Sequence, residues 1–304
     1  MLAEGQGVPA PVHIIYVTDA VAFEVSKILS DGSSTTQAWA SLGAVGPYFI
    51  NTDASGNVYT LNTNAGTISK ITPAGVVTAT WATITANDSF IVKDGSGNFY
   101  TLLNNATNSV VTKITPAGSV NTGWAALHGG VNIGLAIDAS GSLFAVGYSN
   151  GIISKTTSAG SVTSTWASIG TTLTSNAIIA DASGNVYVAR GNNTISKITA
   201  AGVVTNSWAT LTAAPVALAI DGAGNLYAPI QSAGTISKIT SAGVVTNTWA
   251  TIGAGTGPND IAIDSEGNLY TTNNTAKTIS KITPAGVVTT VGTLTVAPYH
   301  LTIL

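Results

Sequence analysis

Apolar positions along this chain fall in short runs and show no helical period. Val186-Tyr-Val, Thr194-Ile-Ser-Lys-Ile and Val203-Val-Thr-Asn-Ser-Trp208 are brief runs built on β-branched and aromatic residues, the make-up of short strands. Turn formers separate the runs. In Asp181-Ala-Ser-Gly-Asn185 the carboxylate can accept nearby backbone N–H groups and the glycine supplies a positive φ. In Pro73-Ala-Gly75 proline and glycine mark a tight hairpin with a bulge. The pattern predicts an all-β chain of four-stranded units, here called strands A to D in chain order.

The unit repeats. A strand-B aromatic recurs at Tyr16, Tyr59, Tyr100, Phe144, Tyr187, Tyr227 and Tyr270, a strand-C lysine at Lys27, Lys70, Lys113, Lys155, Lys197, Lys238 and Lys281, and a turn glycine follows each lysine. The spacing of about 42 residues is that of a propeller blade. Both ends are fragments. The N-terminal part, from Val12 to Trp39, supplies strands B, C and D, and Pro298-Tyr-His-Leu-Thr-Ile303 supplies a lone strand A. Joined, they complete a seventh blade and remove the ring's open edges. The expectation is a seven-bladed β-propeller in one domain, 1–304, with an N-terminal extension over 1–11. Its blades are 12–46 plus 298–304, 47–87, 88–131, 132–174, 175–214, 215–257 and 258–297.

Composition narrows the chemistry. Net charge is −3 and charged residues make up 8% of the chain, so there is no basic field of the kind that drives nucleic-acid binding. Cysteine is absent, which excludes disulfides, thiolate metal sites and cysteine nucleophiles. No apolar run reaches a membrane span. The first residues lack the basic flank and apolar core of a signal peptide. With the neutral Thr/Ser/Asn-rich surface, this points to an extracellular or virion location, with a cytoplasmic one left open.

Pro215-Val-Ala-Leu-Ala-Ile-Asp-Gly-Ala-Gly-Asn-Leu-Tyr227 and Ile236-Ser-Lys-Ile-Thr-Ser-Ala-Gly-Val-Val-Thr-Asn-Thr-Trp249 resemble the NHL repeat and its relatives, among them the virginiamycin B lyase-type propellers. The resemblance covers every unit and implies the fold. The arginine that NHL repeats carry before strand C is replaced by Thr67, Thr194, Thr235 or Thr278, and the acid after strand B by Asn62 or Arg190. The lyases imply histidines and acids above the channel holding a metal. No His-x-x-His or Glu-x-His arrangement matches them here, and fold alone does not imply function.

Repeated side chains are read as scaffold: the six strand-D tryptophans fill gaps between blades, the lysine stems pack with their ammonium groups at the rim, and the Asp-x-x-Gly turns are structural. Variation concentrates in the D–A and B–C loops, which share one face. Two residues escape the repeat. At the third place of strand A stand Phe49, Phe90, Gly134, Ala177, Ala217, Asp260 and His300. The last two should be neighbours near the channel mouth, where a His–Asp pair can orient a general base. His13 and His128 lie elsewhere in their repeats. The expected function is a non-enzymatic binding or assembly module, a tail or decoration protein, with no cofactor and no metal. It would engage a protein partner or glycan through Asp260, His300, Phe49, Tyr48, Tyr299 and Tyr148. The alternatives are a lectin-like propeller and a lyase or hydrolase at the channel mouth.

Overall fold

The second strand of each unit is its most apolar, and it is buried on both faces. The computed structural model describes residues 11–43, 45–103, 109–127, 131–148, 150–170 and 177–304. Among them, twenty-eight strands form seven four-stranded antiparallel sheets. In blade 1 the order is Phe49–Thr52, Val58–Asn62, Thr67–Ile71 and Val77–Thr83. Every residue of Val58–Asn62 is buried, whereas Val77–Thr83 fully buries Ala82 alone. Strands A of neighbouring blades touch one another around the axis. Strand D forms the outer edge, where Thr, Ser and Asn meet water.

The ends close the ring in one sheet. Leu301–Ile303 pairs antiparallel with Ile14–Asp19, in register Ile15 to Ile303, Tyr16 to Thr302 and Val17 to Leu301. Flanking bonds extend the ladder: Ile14 N donates to Leu304 O at 3.1 Å and Tyr299 N to Thr18 O at 2.9 Å. Glu24–Leu29 and Thr35–Ser41 complete the blade.

The A–B turns are held by their aspartates. Asp53 Oδ1 accepts the Ser55 and Asn57 amides at 2.9 Å, and Oδ2 accepts Asn57 Nδ2 at 2.8 Å and Tyr59 Oη at 2.9 Å. Gly56 closes the turn at φ 79°, a conformation costly for side chains with a Cβ. The same donor set recurs at Asp94, Asp181, Asp221 and Asp264. Burial by itself raises the carboxyls of Asp53, Asp94 and Asp221, but the hydrogen bonds outweigh it and hold all three below the usual range. Burial first, and the adjoining carboxylate second, push Tyr187 and Tyr227 up to about 12.

Tryptophan fills the seams between blades. Trp208 packs on Tyr187 with ring centroids 5.2 Å apart, and Lys197 Nζ lies 5.2 Å from the Trp208 centroid and 5.4 Å from that of Tyr187. The lysine ammonium is therefore over the rings rather than out at the rim, a cation–π arrangement. The turn glycine of the next blade rests on each indole: a Cβ on Gly243 would fall 3.1 Å from Trp208. One seam differs. Between blade 6 and the closing blade, Gly32 rests on Val291, because Gly292 stands at the tryptophan position.

Every C–D pair carries a bulge, as between Ile195 and Lys197. It twists the exposed edge and re-aims the side chains beyond it. In two blades the residue before the tryptophan takes a positive φ: Ala38 at 51° and Ser207 at 51°.

Candidate active site at the channel mouth

The starts of the A strands enclose a cavity of about 360 Å³, lined by Phe49, Phe90, Ala177, Ala217, Asp260 and His300 together with their neighbours. Six of the seven third-place residues thus converge on one space; Gly134 is represented there by the adjacent Leu135. Phe90 reaches the space through a bulge between Ser89 and Ile91, with a φ of 57°. A positive φ at a bulky residue is costly, and here it turns an aromatic ring toward the channel.

Asp260 and His300 lie on consecutive A strands and meet. His300 Nδ1 is 3.1 Å from Asp260 Oδ2, with side-chain exposures of 27% and 21%. The carboxylate is fixed by backbone: Leu301 N donates to Oδ2 at 3.1 Å and Ile261 N to Oδ1 at 2.9 Å. The imidazole is fixed on its face by Phe49, with centroids 4.3 Å apart and planes 28° from parallel. Phe49 packs in turn on Phe90 at 5.0 Å. An ionised Asp260 requires Nδ1 to carry the proton, which leaves the Nε2 lone pair free to accept one.

Supporting bonds tie the two strands to the sheets behind them. Thr272 Oγ1 accepts from Asp260 N at 3.0 Å, and Thr18 Oγ1 accepts from His300 N at 3.2 Å. Asn259 Nδ2 donates to Tyr299 O at 3.2 Å.

The remaining candidates divide. Tyr299 lines the cavity, and Tyr48 meets it edge-on at 6.0 Å. Tyr148 is 48% exposed and takes no part in the cavity lining. His128 lies outside the described residues.

Metal-ligating residues are not gathered at the mouth. The one group of three or more His, Asp and Glu ligand atoms among the described residues is His13, Asp264 and Glu266. It lies past the far end of Pro258–Ile263, the strand whose start carries Asp260. Four residues of strand separate Asp260 from Asp264, roughly 13 Å, so the two groups face opposite ends of the channel. At the mouth, Asp260 and His300 are the one acid and the one histidine of the cavity lining among the described residues. Among the described residues, these two donors fall short of the set of histidines and acids that the lyases imply for a metal.

The strictosidine synthase-like, N-terminal family model matches residues 248–275. No curated protein sequence matches the chain. Among solved structures it is similar to a streptogramin B lyase, with a TM-score of 0.67 and 17% identity over 84% of this chain and 86% of that one. It is similar also to a catalytically inactive variant of virginiamycin B lyase from Staphylococcus aureus with quinupristin, with a TM-score of 0.65 and 18% identity over 81% and 84%. A functionally unknown protein from Desulfotomaculum acetoxidans gives a TM-score of 0.71 and 12% identity over 95% and 98%.

These findings correct the expectation of a non-enzymatic binding or assembly module. Lyases are built on this fold, and the chain assembles a His–Asp–Glu group that the order of residues had hidden. The exclusion of catalysis does not stand. The sequence reading missed the group because His13 is remote along the chain from the two acids. Two departures from the repeat mark it: His13 occupies the turn-glycine position (Gly56, Gly97, Gly141, Gly184, Gly224 and Gly267 elsewhere), and Glu266 is the sole acid at the third turn place. In fold, the chain is a seven-bladed propeller resembling the virginiamycin B lyase-like, NHL-repeat propellers.

Proposed function

We propose that the channel mouth is the active site of a lyase or hydrolase, with His300 as general base and Asp260 as the carboxylate that orients it. The observation that carries this reading is the His300–Asp260 bond inside an aromatic-walled cavity, with Nε2 left to act. In a hydrolysis, Nε2 takes a proton from water as the oxygen attacks a carbonyl, then returns it to the leaving group. In an elimination, Nε2 takes the proton from carbon as the neighbouring C–O bond breaks and a double bond forms, then returns it to the departing oxygen. Asp260 stabilises the imidazolium in both cases, and Phe49 holds the ring plane. Proton transfer of this kind contributes about 10²–10⁴-fold.

The cavity wall selects for uncharged groups. Lys and Arg are absent from its lining, Asp260 is the one acid, and Phe49 and Phe90 offer a stacking surface. Quinupristin, which accompanies the inactive virginiamycin B lyase variant, and cyclic or aryl esters are the substrates to try first. Mass analysis of the products separates the chemistries. Ring-opening elimination leaves the mass unchanged, whereas hydrolysis adds one water. Turnover lost in His300→Ala and sharply reduced in Asp260→Asn supports the site. Turnover that persists in His300→Ala refutes it.

A further inference from the structure

We infer that His13, Asp264 and Glu266 form a divalent-cation site that clamps the closing seam of the ring, on the face opposite the mouth. The ligand atoms lie within 4.8 Å of one another. His13 belongs to the closing blade and the two acids to blade 6, so an ion held between them joins elements at opposite ends of the chain.

The donor set fits a borderline ion. One imidazole and two carboxylates suit Zn²⁺, Co²⁺ or Ni²⁺ better than Ca²⁺ or Mg²⁺, which take oxygen ligands. An ion about 2.1 Å from each donor places the donors roughly 3–3.5 Å apart. His13 Nε2 stands 3.8 Å from Asp264 Oδ2. Glu266, 38% exposed in its side chain, bonds Nε2 directly and has room to withdraw as an ion enters. Its backbone is fixed, since Glu266 N donates to Asp264 Oδ1 at 3.0 Å. Asp264 Oδ2 already accepts Asn268 Nδ2 at 2.8 Å and Tyr270 Oη at 2.9 Å. It is therefore the weakest of the three ligands, and part of its contribution is charge. The chain brings a buried acid and a half-exposed acid together, and a dication relieves their repulsion.

The position within the repeat gives this group its purpose. The other six seams are filled by a tryptophan under the next blade's turn glycine, and this seam has Val291 under Gly32. It is also the seam crossed by the dyad, because Asp260 is on blade 6 and His300 on the closing blade. An ion at the far end stiffens the junction that holds Asp260 against His300. This goes beyond the catalytic reading and does not depend on it.

The test titrates the full chain with ZnCl₂ alone, by calorimetry and by thermal melting. The expected result is one saturable equivalent, with Tm rising by roughly 4 °C at a hundredfold excess over Kd. His13→Ala and Glu266→Gln should each weaken binding at least tenfold, and His300→Ala should change it less than twofold. Circular dichroism of Glu266→Gln, whose side chain is exposed, confirms that the fold persists. The inference is overturned by the absence of saturable binding, by binding indifferent to both His13→Ala and Glu266→Gln, or by binding that His300→Ala removes.

Discussion

Replacing Asp88 with asparagine should stabilise the protein at neutral pH. Asp88 begins strand A of blade 2 and is fully buried. Its Oδ2 accepts from Thr101 Oγ1 at 2.5 Å, while Oδ1 has no partner. Thr101 and Thr112 occupy the repeat positions of Thr60 and Ser69, which in blade 1 satisfy Asn62: Thr60 Oγ1 donates to Asn62 Oδ1 at 3.2 Å, and Asn62 Nδ2 donates to Ser69 Oγ at 2.8 Å. Blade 6 repeats this with Asn273. Blade 2 has Leu103 at the Asn62 position, and Asp88 supplies the polar group from another strand. Burial raises its carboxyl from 3.8 to about 6, against the opposing effect of the Thr101 and Thr112 hydroxyls. A folded-state pKa above the unfolded value means that the native state holds the proton more tightly, so this group's contribution falls as pH rises from about 4 through 6. A difference of roughly two units is about 3 kcal/mol of destabilisation at pH 7. Asparagine carries no charge and offers Thr112 a donor, so Asp88→Asn should gain up to about 3 kcal/mol at pH 7, or roughly 5 °C in Tm. Urea unfolding from pH 4 to 8 measures this, and the gain should shrink toward zero at the acid end. A loss of stability at pH 7, or a gain independent of pH, would refute the reasoning.

Other predictions follow from the same structure. Deleting Pro298–Leu304 removes the strand that pairs with Ile14–Asp19, and size-exclusion chromatography should show aggregation at a lowered Tm; a monomer with unchanged melting contradicts the closure. Trp208→Ala, which empties the space between Tyr187 and Gly243, should cost about 3 kcal/mol by denaturant titration. Asp53→Asn removes a carboxyl whose folded pKa is depressed. Its cost should therefore be full above pH 4 and vanish as pH falls below, the reverse of Asp88→Asn.

Much of the architecture was legible because a blade is local. Strand, turn and strand follow within about 42 residues, and each repeat restates the answer. Register carried one step further: counting to the third place of strand A brought Phe49, Phe90, Asp260 and His300 to one cavity. Four features were not legible. The strand-A bulge that turns Phe90 inward has no signal in the local residues, since neither glycine nor asparagine stands at that position to mark its positive φ. The lysines' place over Tyr and Trp rings depends on the neighbouring strand rather than on their own. His13 and Glu266 are 253 residues apart, and ring closure alone makes them neighbours. Asp88 was hidden in another way, since it reaches from strand A into a place that Asn62 fills from strand B.

The location of catalysis is tested most directly by turnover in His300→Ala, measured beside the parent protein and Tyr148→Ala on quinupristin or whichever ester the parent consumes. His300→Ala should lose about 10²–10⁴-fold in kcat/KM, while Tyr148→Ala, exposed and outside the cavity lining, keeps the parental rate. Activity that survives in His300→Ala and disappears in Glu266→Gln would contradict the account and move the active site to the opposite face of the ring.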